Sequence, residues 1–177
     1  DYKLDFNKEG QHIELEVDYN VYDSEGPVIY NDLTGDNDFE DSNKRDRKRT
    51  TINLDYVDPL SETTKLELGS QVRLFNSIID FSSTGQSLDE NGMLRPTPDA
   101  NFDYTRDIYS GYATFSKQYE KWTYQIGARL EGVTVDALAV ATYPDNGEQK
   151  PIPFENDYVE LYPSGFITYT PSEKNTY

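Results

Sequence analysis

Strict alternation of apolar and polar residues is the dominant pattern along this chain. In the segment Lys121–Val135 every second residue from position 122 to position 130 is apolar: Trp122, Tyr124, Ile126, Ala128 and Leu130. The residues between them are polar or small: Thr123, Gln125, Gly127, Arg129 and Glu131. Because the side chains of a strand point alternately to its two faces, this pattern predicts a β-strand with one apolar and one polar face.

The same alternation predicts further strands along the chain. They are Tyr2–Phe6, Gln11–Tyr22, Thr50–Tyr56, Thr64–Phe75, Ile108–Gln118 and Gly165–Thr170. The polar face of Gln11–Tyr22 carries several carboxylates, which we expect to meet water or cationic partners because burying an unpaired charge is costly. No segment has convincing helical periodicity. The sequence therefore predicts an all-β protein.

The connections between the predicted strands alternate between short and long. Short turns are predicted at Asn7–Gly10, Val57–Glu62, Tyr119–Lys121 and Pro171–Asn175. Long polar loops are predicted at Asp23–Lys48, Asn76–Asp103 and Asp136–Asp157. Transmembrane barrels have short periplasmic turns and long extracellular loops. We therefore predict an antiparallel meander of β-hairpins that is part of a transmembrane β-barrel.

Strand length and aromatic placement agree with this prediction. A tilted strand needs about 9–11 residues to cross the hydrocarbon of a bilayer, and several predicted strands have about a dozen. Aromatic residues also lie close to the short turns: Tyr2, Phe6, Tyr56, Tyr119, Trp122 and Tyr124. Rings at that level are typical of the aromatic girdle of a membrane barrel. We expect residues 1–177 to form a single barrel segment of about eight strands, with the first and last incomplete.

Composition narrows the classes of partner and chemistry. The 177 residues include 33 acidic and 16 basic side chains, a net charge of −17. Nucleic acid is therefore excluded as a partner, because phosphate binding needs positive charge. The chain has no cysteine, so it has no disulfide, thiolate metal site or thiol nucleophile. It also lacks a nucleophile elbow, a phosphate loop and a zinc-protease helix, and we expect no enzymatic activity and no cofactor.

Mean hydropathy leaves two classes of protein open. Its value of −0.82, with 35% hydrophobic residues, taken alone favours a soluble protein. A soluble β-sandwich, such as a glycan-binding or adhesion module of the cell surface, is the alternative interpretation. A sandwich buries its apolar faces against each other, whereas a barrel turns them to lipid. The position of the apolar face therefore distinguishes the two.

Two motifs carry a resemblance to a known family. They are the paired segments Tyr109–Lys117 and Lys121–Glu131, and the segment Leu161–Phe166 followed by Pro171–Asn175. These segments resemble the barrel of TonB-dependent outer-membrane receptors, in particular the Bacteroidetes-type outer-membrane β-barrel family. The likeness is strongest over residues 102–177. Over residues 2–75 it depends mainly on the rhythm of strands and turns.

The resemblance implies a location and a role for the parent protein. Such receptors are barrels of about 22 strands with an N-terminal plug, energised by TonB, that import siderophores, glycans, peptides or vitamins. It thus implies the bacterial outer membrane, with outer-membrane lipid, a plug domain and TonB as partners. No plug or TonB-contacting segment is recognisable in this chain, so we expect a fragment of the barrel. Open strand edges would favour self-association.

Three groups of residues are candidate sites. Gln125, Arg129 and Glu131 share a polar strand face, which in a barrel points to the lumen, toward a plug or water. We expect a structural network there rather than substrate contact.

The acidic group Asp36, Asp38 and Glu40 has the oxygen ligands that Ca²⁺ prefers. Its spacing is not that of an EF-hand, because Arg47 occupies the twelfth position. We therefore favour a solvated acidic loop over a metal site, and a calcium site is the alternative interpretation.

The third candidate is a basic run just before the strand Thr50–Tyr56: Lys44, Arg45, Arg47, Lys48 and Arg49. In a barrel it would lie at the outer rim, where it could pair with lipopolysaccharide phosphates or with the acidic loop ahead of it. A disordered charged loop is the alternative.

Overall fold

The computed structural model describes residues 1–31 and 38–171. Within these ranges the chain forms nine β-strands: β1 Tyr2–Asp5, β2 His12–Tyr30, β3 Phe39–Ser61, β4 Thr64–Ser83, β5 Gln86–Leu88, β6 Leu94–Pro96, β7 Asp99–Tyr119, β8 Trp122–Thr142 and β9 Gln149–Tyr169. Among the described residues, no helix is long and apolar enough to cross a membrane.

Seven strands form one antiparallel sheet in the order β1-β2-β3-β4-β7-β8-β9. Strands that are neighbours in this sheet also follow one another along the chain, except at β4 and β7. Between these two strands the chain forms a separate hairpin of the short strands β5 and β6. The prediction of an all-β antiparallel meander is confirmed. Within the described ranges β1 and β9 do not pair with each other, so the sheet is open and these strands are its edges.

The strands extend far beyond the predicted bounds, and the three predicted long loops are wrong in extent. β2 continues to Tyr30 and β3 begins at Phe39, while β8 continues to Thr142 and β9 begins at Gln149. The segment between β4 and β7 contains the β5–β6 hairpin. The added part of β3, residues 40–49, has no apolar residue and so no apolar alternation, but a hydrogen-bonded ladder needs only backbone groups.

The short turns are mostly confirmed. Residues 119–122 and 7–10 form tight connections, with Gly10 at a φ of 75°. The turn predicted at Val57–Glu62 is displaced, because β3 continues through Pro59 to Ser61. The pairing with β4 shifts between Pro59 and Ser61, and this irregularity accommodates the proline. Of the turn predicted at Pro171–Asn175, residues 172–175 lie outside the described residues.

The two faces of the sheet follow from the register. Residues directly opposite in an antiparallel pair point to the same face. On the face that carries Arg129, side chains reach across an intervening strand: Arg129 of β8 donates to Gln71 of β4. Second-neighbour strands lie about 10 Å apart, so the sheet curls toward this face for such groups to meet. We call it the inner face, and the opposite side the outer face.

The outer face carries an apolar belt about nine residues long on each central strand. On β9 it extends from Val159 to Ile167, and on β8 from Tyr124 to Gly132. Its side chains are exposed, with Val159 72% and Ile126 66% accessible. Nine residues of a tilted strand are enough to cross the hydrocarbon core of a bilayer. A β-sandwich would bury these side chains in a second layer, so the alternative of a soluble sandwich is wrong.

A polar collar ends the apolar belt at a similar level on each strand. Its outer-face residues are Asp23, Lys48, Asn76, Asp107, Asp136 and Asp157. Beyond the collar the sheet continues toward the long connections, and we call this part the upper half. On the inner face at the level of the collar, Ile108, Val133 and Val135 are buried and Tyr104 packs against them. Strand β8 continues beyond Asp136 to Thr142, and β7 begins at Asp99, well before Asp107. The strands therefore extend well past the belt.

Aromatic side chains cluster at the opposite end of the belt, close to the short turns. The rings of Trp122 and Tyr169 lie 4.5 Å apart and those of Trp122 and Tyr124 lie 6.4 Å apart. Phe6 and Tyr56 form an edge-to-face pair at 6.2 Å. These rings occupy the level expected for an interfacial girdle.

Candidate functional site

The inner face at the level of the belt carries a hydrogen-bonded group centred on Arg129. Its Nε donates to Glu131 Oε1 at 2.6 Å. Its Nη2 donates to Gln71 Oε1 at 2.9 Å and to Ser110 Oγ at 2.7 Å. Arg129 thus joins three strands, β4, β7 and β8, through one guanidinium group.

The same network continues along the inner face from β4 to β3 and β2. Gln71 Nε2 donates to Asn53 Oδ1 at 2.7 Å, and Asn53 Nδ2 donates to Glu16 Oε2 at 3.2 Å. Arg73 Nη2 adds a longer contact to Glu131 Oε1 at 3.4 Å. We call these seven residues the polar network: Glu16, Asn53, Gln71, Arg73, Ser110, Arg129 and Glu131. It crosses five adjacent strands, β2 to β4 and β7 to β8.

Tyr112 lies beside the polar network and covers a glycine. Its ring lies over Gly69, the residue directly opposite in β4, where an added Cβ would overlap the ring. Its hydroxyl donates to Asp55, and Arg129 Cζ lies 5.9 Å from the ring centroid. An open groove of about 540 Å³ follows this side of the network, with Tyr162 on its far wall.

The structure places the three predicted lumen-facing residues on one face. Arg129 and Glu131 belong to the polar network, whereas Gln125 points to the same face without a side-chain hydrogen bond to any described residue. That this face lines a lumen stays a prediction. Sequence reasoning missed Gln71, Asn53 and Ser110 as members of the network, because only the register brings these strands together.

The calcium hypothesis is not tested by the structure. Asp36 lies outside the described residues, Asp38 lies just before β3, and Glu40 lies within β3. In the described ranges, no group of three or more His, Cys, Asp or Glu side chains could hold a metal ion. Both interpretations, a solvated acidic loop and a calcium site, stay untested.

The predicted basic loop is wrong, because all five basic residues lie within strand β3. Backbone pairing with β2 and β4 alternates their side chains, so that Lys44 and Lys48 face outward while Arg45, Arg47 and Arg49 face inward. A strand cannot present all five on one surface. The lipopolysaccharide contact stays a prediction, and the outer face offers only Lys44 and Lys48 for it.

The β5–β6 hairpin is held by an acidic side chain at its tip. The backbone N–H groups of Met93 and Asn91 donate to Asp89, and they hold the pKa of that carboxyl below its ordinary value. Arg95 lies 3.6 Å from Asp89 and 3.8 Å from Asp145 in the connection between β8 and β9. Arg95 therefore links the connection between β4 and β7 to the connection between β8 and β9, at the end of the sheet opposite the short turns.

Comparison with known proteins finds one family. Residues 4–177 match a family model described as the outer membrane protein beta-barrel family. The match includes part of β1 and all the remaining strands of the large sheet. It therefore extends well beyond the segment 102–177, which carries the strongest sequence resemblance. No curated protein matches the chain.

Proposed function

The chain belongs to the outer membrane protein β-barrel family, and from this we propose that it forms part of the wall of a TonB-dependent receptor that imports a nutrient. Family membership places the protein in the bacterial outer membrane, as predicted from the sequence. Nutrient import driven by TonB is the proposal. The imported nutrient would be a siderophore, a glycan or a peptide.

The observation that carries the proposal is the contrast between the two faces of one sheet. The outer face has an exposed apolar belt, while the inner face at the same level has the polar network. In a membrane, polar groups need partners or water, so the inner face must contact an aqueous interior or another polar segment. A transport barrel with a plug supplies both.

Unused hydrogen-bonding capacity on the inner face favours contact with a plug. The Nε of Arg73 is buried and has no hydrogen-bond partner among the described residues. The groove beside Tyr112 also presents Asn53 and Ser164. The resemblance of Tyr109–Lys117, Lys121–Glu131 and Leu161–Phe166 to TonB-dependent receptors supports the energised form of transport over a passive pore.

Uptake measurements in the native host test the proposal. We would compare four strains: the parent, a deletion of this protein, the complemented deletion, and a strain with inactivated TonB. Radiolabelled ferric siderophores, oligosaccharides and oligopeptides would be supplied below the concentration at which passive diffusion dominates. We expect one substrate class to lose uptake in both the deletion and the TonB strain, and to regain it on complementation.

Two results would reject the proposal. Uptake that needs this protein but not TonB would indicate a passive pore. If the deletion leaves the uptake of every substrate class unchanged, the protein does not import any nutrient in the panel.

A further inference from the structure

Every arginine of the large sheet points to the inner face. The residues are Arg45, Arg47, Arg49, Arg73, Arg106 and Arg129. Two of them, Arg73 and Arg129, contact Glu131 within the polar network. The other four, Arg45, Arg47, Arg49 and Arg106, lie at the polar collar or beyond it, outside the polar network.

Arg45, Arg47 and Arg49 occupy successive inner-face positions of β3. Four residues of a strand span about 13 Å, so the three guanidinium groups follow one line of that length. Arg106 of β7 reaches the same surface from two strands away, and Phe75 of β4 lies directly opposite both Arg49 and Arg106. The structure thus gathers four cations on a chain whose net charge is −17.

These four arginines have no anionic partner among the described residues. None of them makes an ion pair or a side-chain hydrogen bond there. By register, the nearest carboxylates on this face are Asp18 on β2, which accepts a hydrogen bond from Asn20, and Asp41 on β3. The other inner-face carboxylates, such as Glu16 and Glu131, lie closer to the short turns. The Nε of Arg45 is buried without a hydrogen-bond partner. A buried donor of this kind needs a partner, and no described residue supplies one.

Aromatic rings lie beside the arginines. Phe75 and Tyr104 form an edge-to-face pair at 6.0 Å, and Tyr104 stacks against Phe102 at 6.1 Å. In the ladder, Ser77 separates Arg47 from Tyr104, so the rings and the guanidinium groups form one continuous surface. We call it the arginine–aromatic surface: Arg45, Arg47, Arg49, Phe75, Tyr104 and Arg106.

We propose that the arginine–aromatic surface binds a soluble polyanionic ligand. Guanidinium groups bind carboxylate, sulfate or phosphate groups through paired hydrogen bonds, and a ring of the ligand can pack on Phe75 and Tyr104. Lipid is not the source of the anion, because lipid meets the outer face, where Lys44 and Lys48 point. The ligand is the imported nutrient or its anionic part. What happens after binding therefore rests on the proposed function, but the binding itself does not.

Paired substitutions on strand β3 test this assignment. Arg45 and Arg49 on the inner face have the same spacing as Lys44 and Lys48 on the outer face, so R45Q/R49Q and K44Q/K48Q remove equal charge from adjacent positions. Titration calorimetry on the protein in detergent, at one low salt concentration, would use citrate, inositol hexakisphosphate and neutral maltohexaose. We expect R45Q/R49Q to weaken binding of an anionic probe by about tenfold or more, and K44Q/K48Q by less than about twofold.

A second double variant controls for loss of folding. R45K/R49K keeps the charge and loses the paired guanidinium geometry, so it should weaken anion binding by about threefold or more with an unchanged sheet signal in circular dichroism. Three results would overturn the proposal: no binding of either anion to the unsubstituted protein, equal losses in the inner and outer pairs, or equal binding of maltohexaose.

The binding and uptake experiments can reject the two proposals independently of each other. Anion binding that depends on Arg45 and Arg49, together with TonB-independent uptake, would discard the transport proposal and keep the surface. TonB-dependent uptake together with no anion binding would discard the surface and keep the transport proposal.

Discussion

At the residue scale, the contact between Gly69 and Tyr112 holds one side of the polar network in place. The Tyr112 ring fills the space that a side chain at position 69 would take, and from there its hydroxyl reaches Asp55. Aromatic residues compensate a cross-strand glycine in this way by covering its backbone. The glycine is required here by close approach rather than by an unusual φ.

Replacing Gly69 should therefore destabilise the protein. In Gly69→Ala the new Cβ overlaps the Tyr112 ring and displaces it from Asp55 and Arg129. We expect the free energy of unfolding to fall by about 1–3 kcal/mol, measured by urea titration in lipid vesicles. The matched control is Gly26→Ala in β2, where nothing lies within 4 Å of the added Cβ. Equal losses in the two variants would contradict the explanation.

Arg129 is the residue on which the polar network most depends. It is the donor to Glu131, Gln71 and Ser110, and no other side chain of the described residues joins these three groups. Without it, the contact that Glu131 keeps among the described residues is the longer one to Arg73.

We expect Arg129→Ala to lower the free energy of unfolding by about 2 kcal/mol, because hydrogen bonds to charged groups contribute about 1.5–3 kcal/mol each and solvent replaces part of them. Gln125→Ala, on the same strand and face but outside the network, should change it by less than about 0.5 kcal/mol. The measurement is the same urea titration. A loss at Gln125 as large as that at Arg129 would show that the network adds no stability of its own.

At the element scale, each long strand has two parts with different surroundings. On β9 the outer face is apolar at Val159 and Leu161 and acidic at Glu155 and Asp157. The change occurs within a single strand that keeps its backbone ladder to β8 throughout. We infer that the membrane boundary lies at the polar collar and that the upper half of the sheet stands in water.

Cysteine labelling tests this boundary without interference, because the chain has no cysteine of its own. Glu155→Cys and Leu161→Cys lie on the same face of β9, about 20 Å apart along the strand. A membrane-impermeant maleimide added to intact cells should label the variant at position 155 at least about tenfold more than the variant at position 161, whose side chain meets lipid. Both should react fully after denaturation. Similar labelling of the two variants in intact cells would place the boundary elsewhere.

At the scale of the whole molecule, the open sheet has two long free edges. Among the described residues, β9 pairs with β8 alone, and the part of β2 beyond Leu15 pairs with β3 alone. Backbone N–H and C=O groups on such edges pair readily with another strand. The exposed apolar belt adds a second reason for association in water.

We therefore expect residues 1–177, prepared alone, to be well dispersed only with bound detergent and to associate through strand edges in plain buffer. Size-exclusion chromatography with light scattering, with and without detergent, measures both properties. A compact, strictly monomeric species in plain buffer would contradict the expectation, since it would show that the belt and the edges are covered within one copy.

The success of the sequence analysis differed between the two halves of the sheet. At the level of the belt the strands and their faces were predicted correctly, because an apolar side chain at every second position is a local signal, as at Ile126 and Leu130. In the upper half, residues 44–49 are polar on both faces and carry no alternation. The strand β3 was therefore predicted as a loop there, and the division of its basic residues between two faces was missed.

What the sequence by itself determined is the set of two-faced strands, the short turns, the apolar belt and the resemblance to a membrane barrel. These follow from a period of two residues and from turn chemistry, which both act over a few neighbouring positions. The tertiary structure alone decided how far each strand extends past the belt and which distant side chains meet. Register is a property of pairs of strands: it brings Gln71 to Arg129 and aligns Arg49 with Phe75 and Arg106. No local pattern in the chain specifies that alignment.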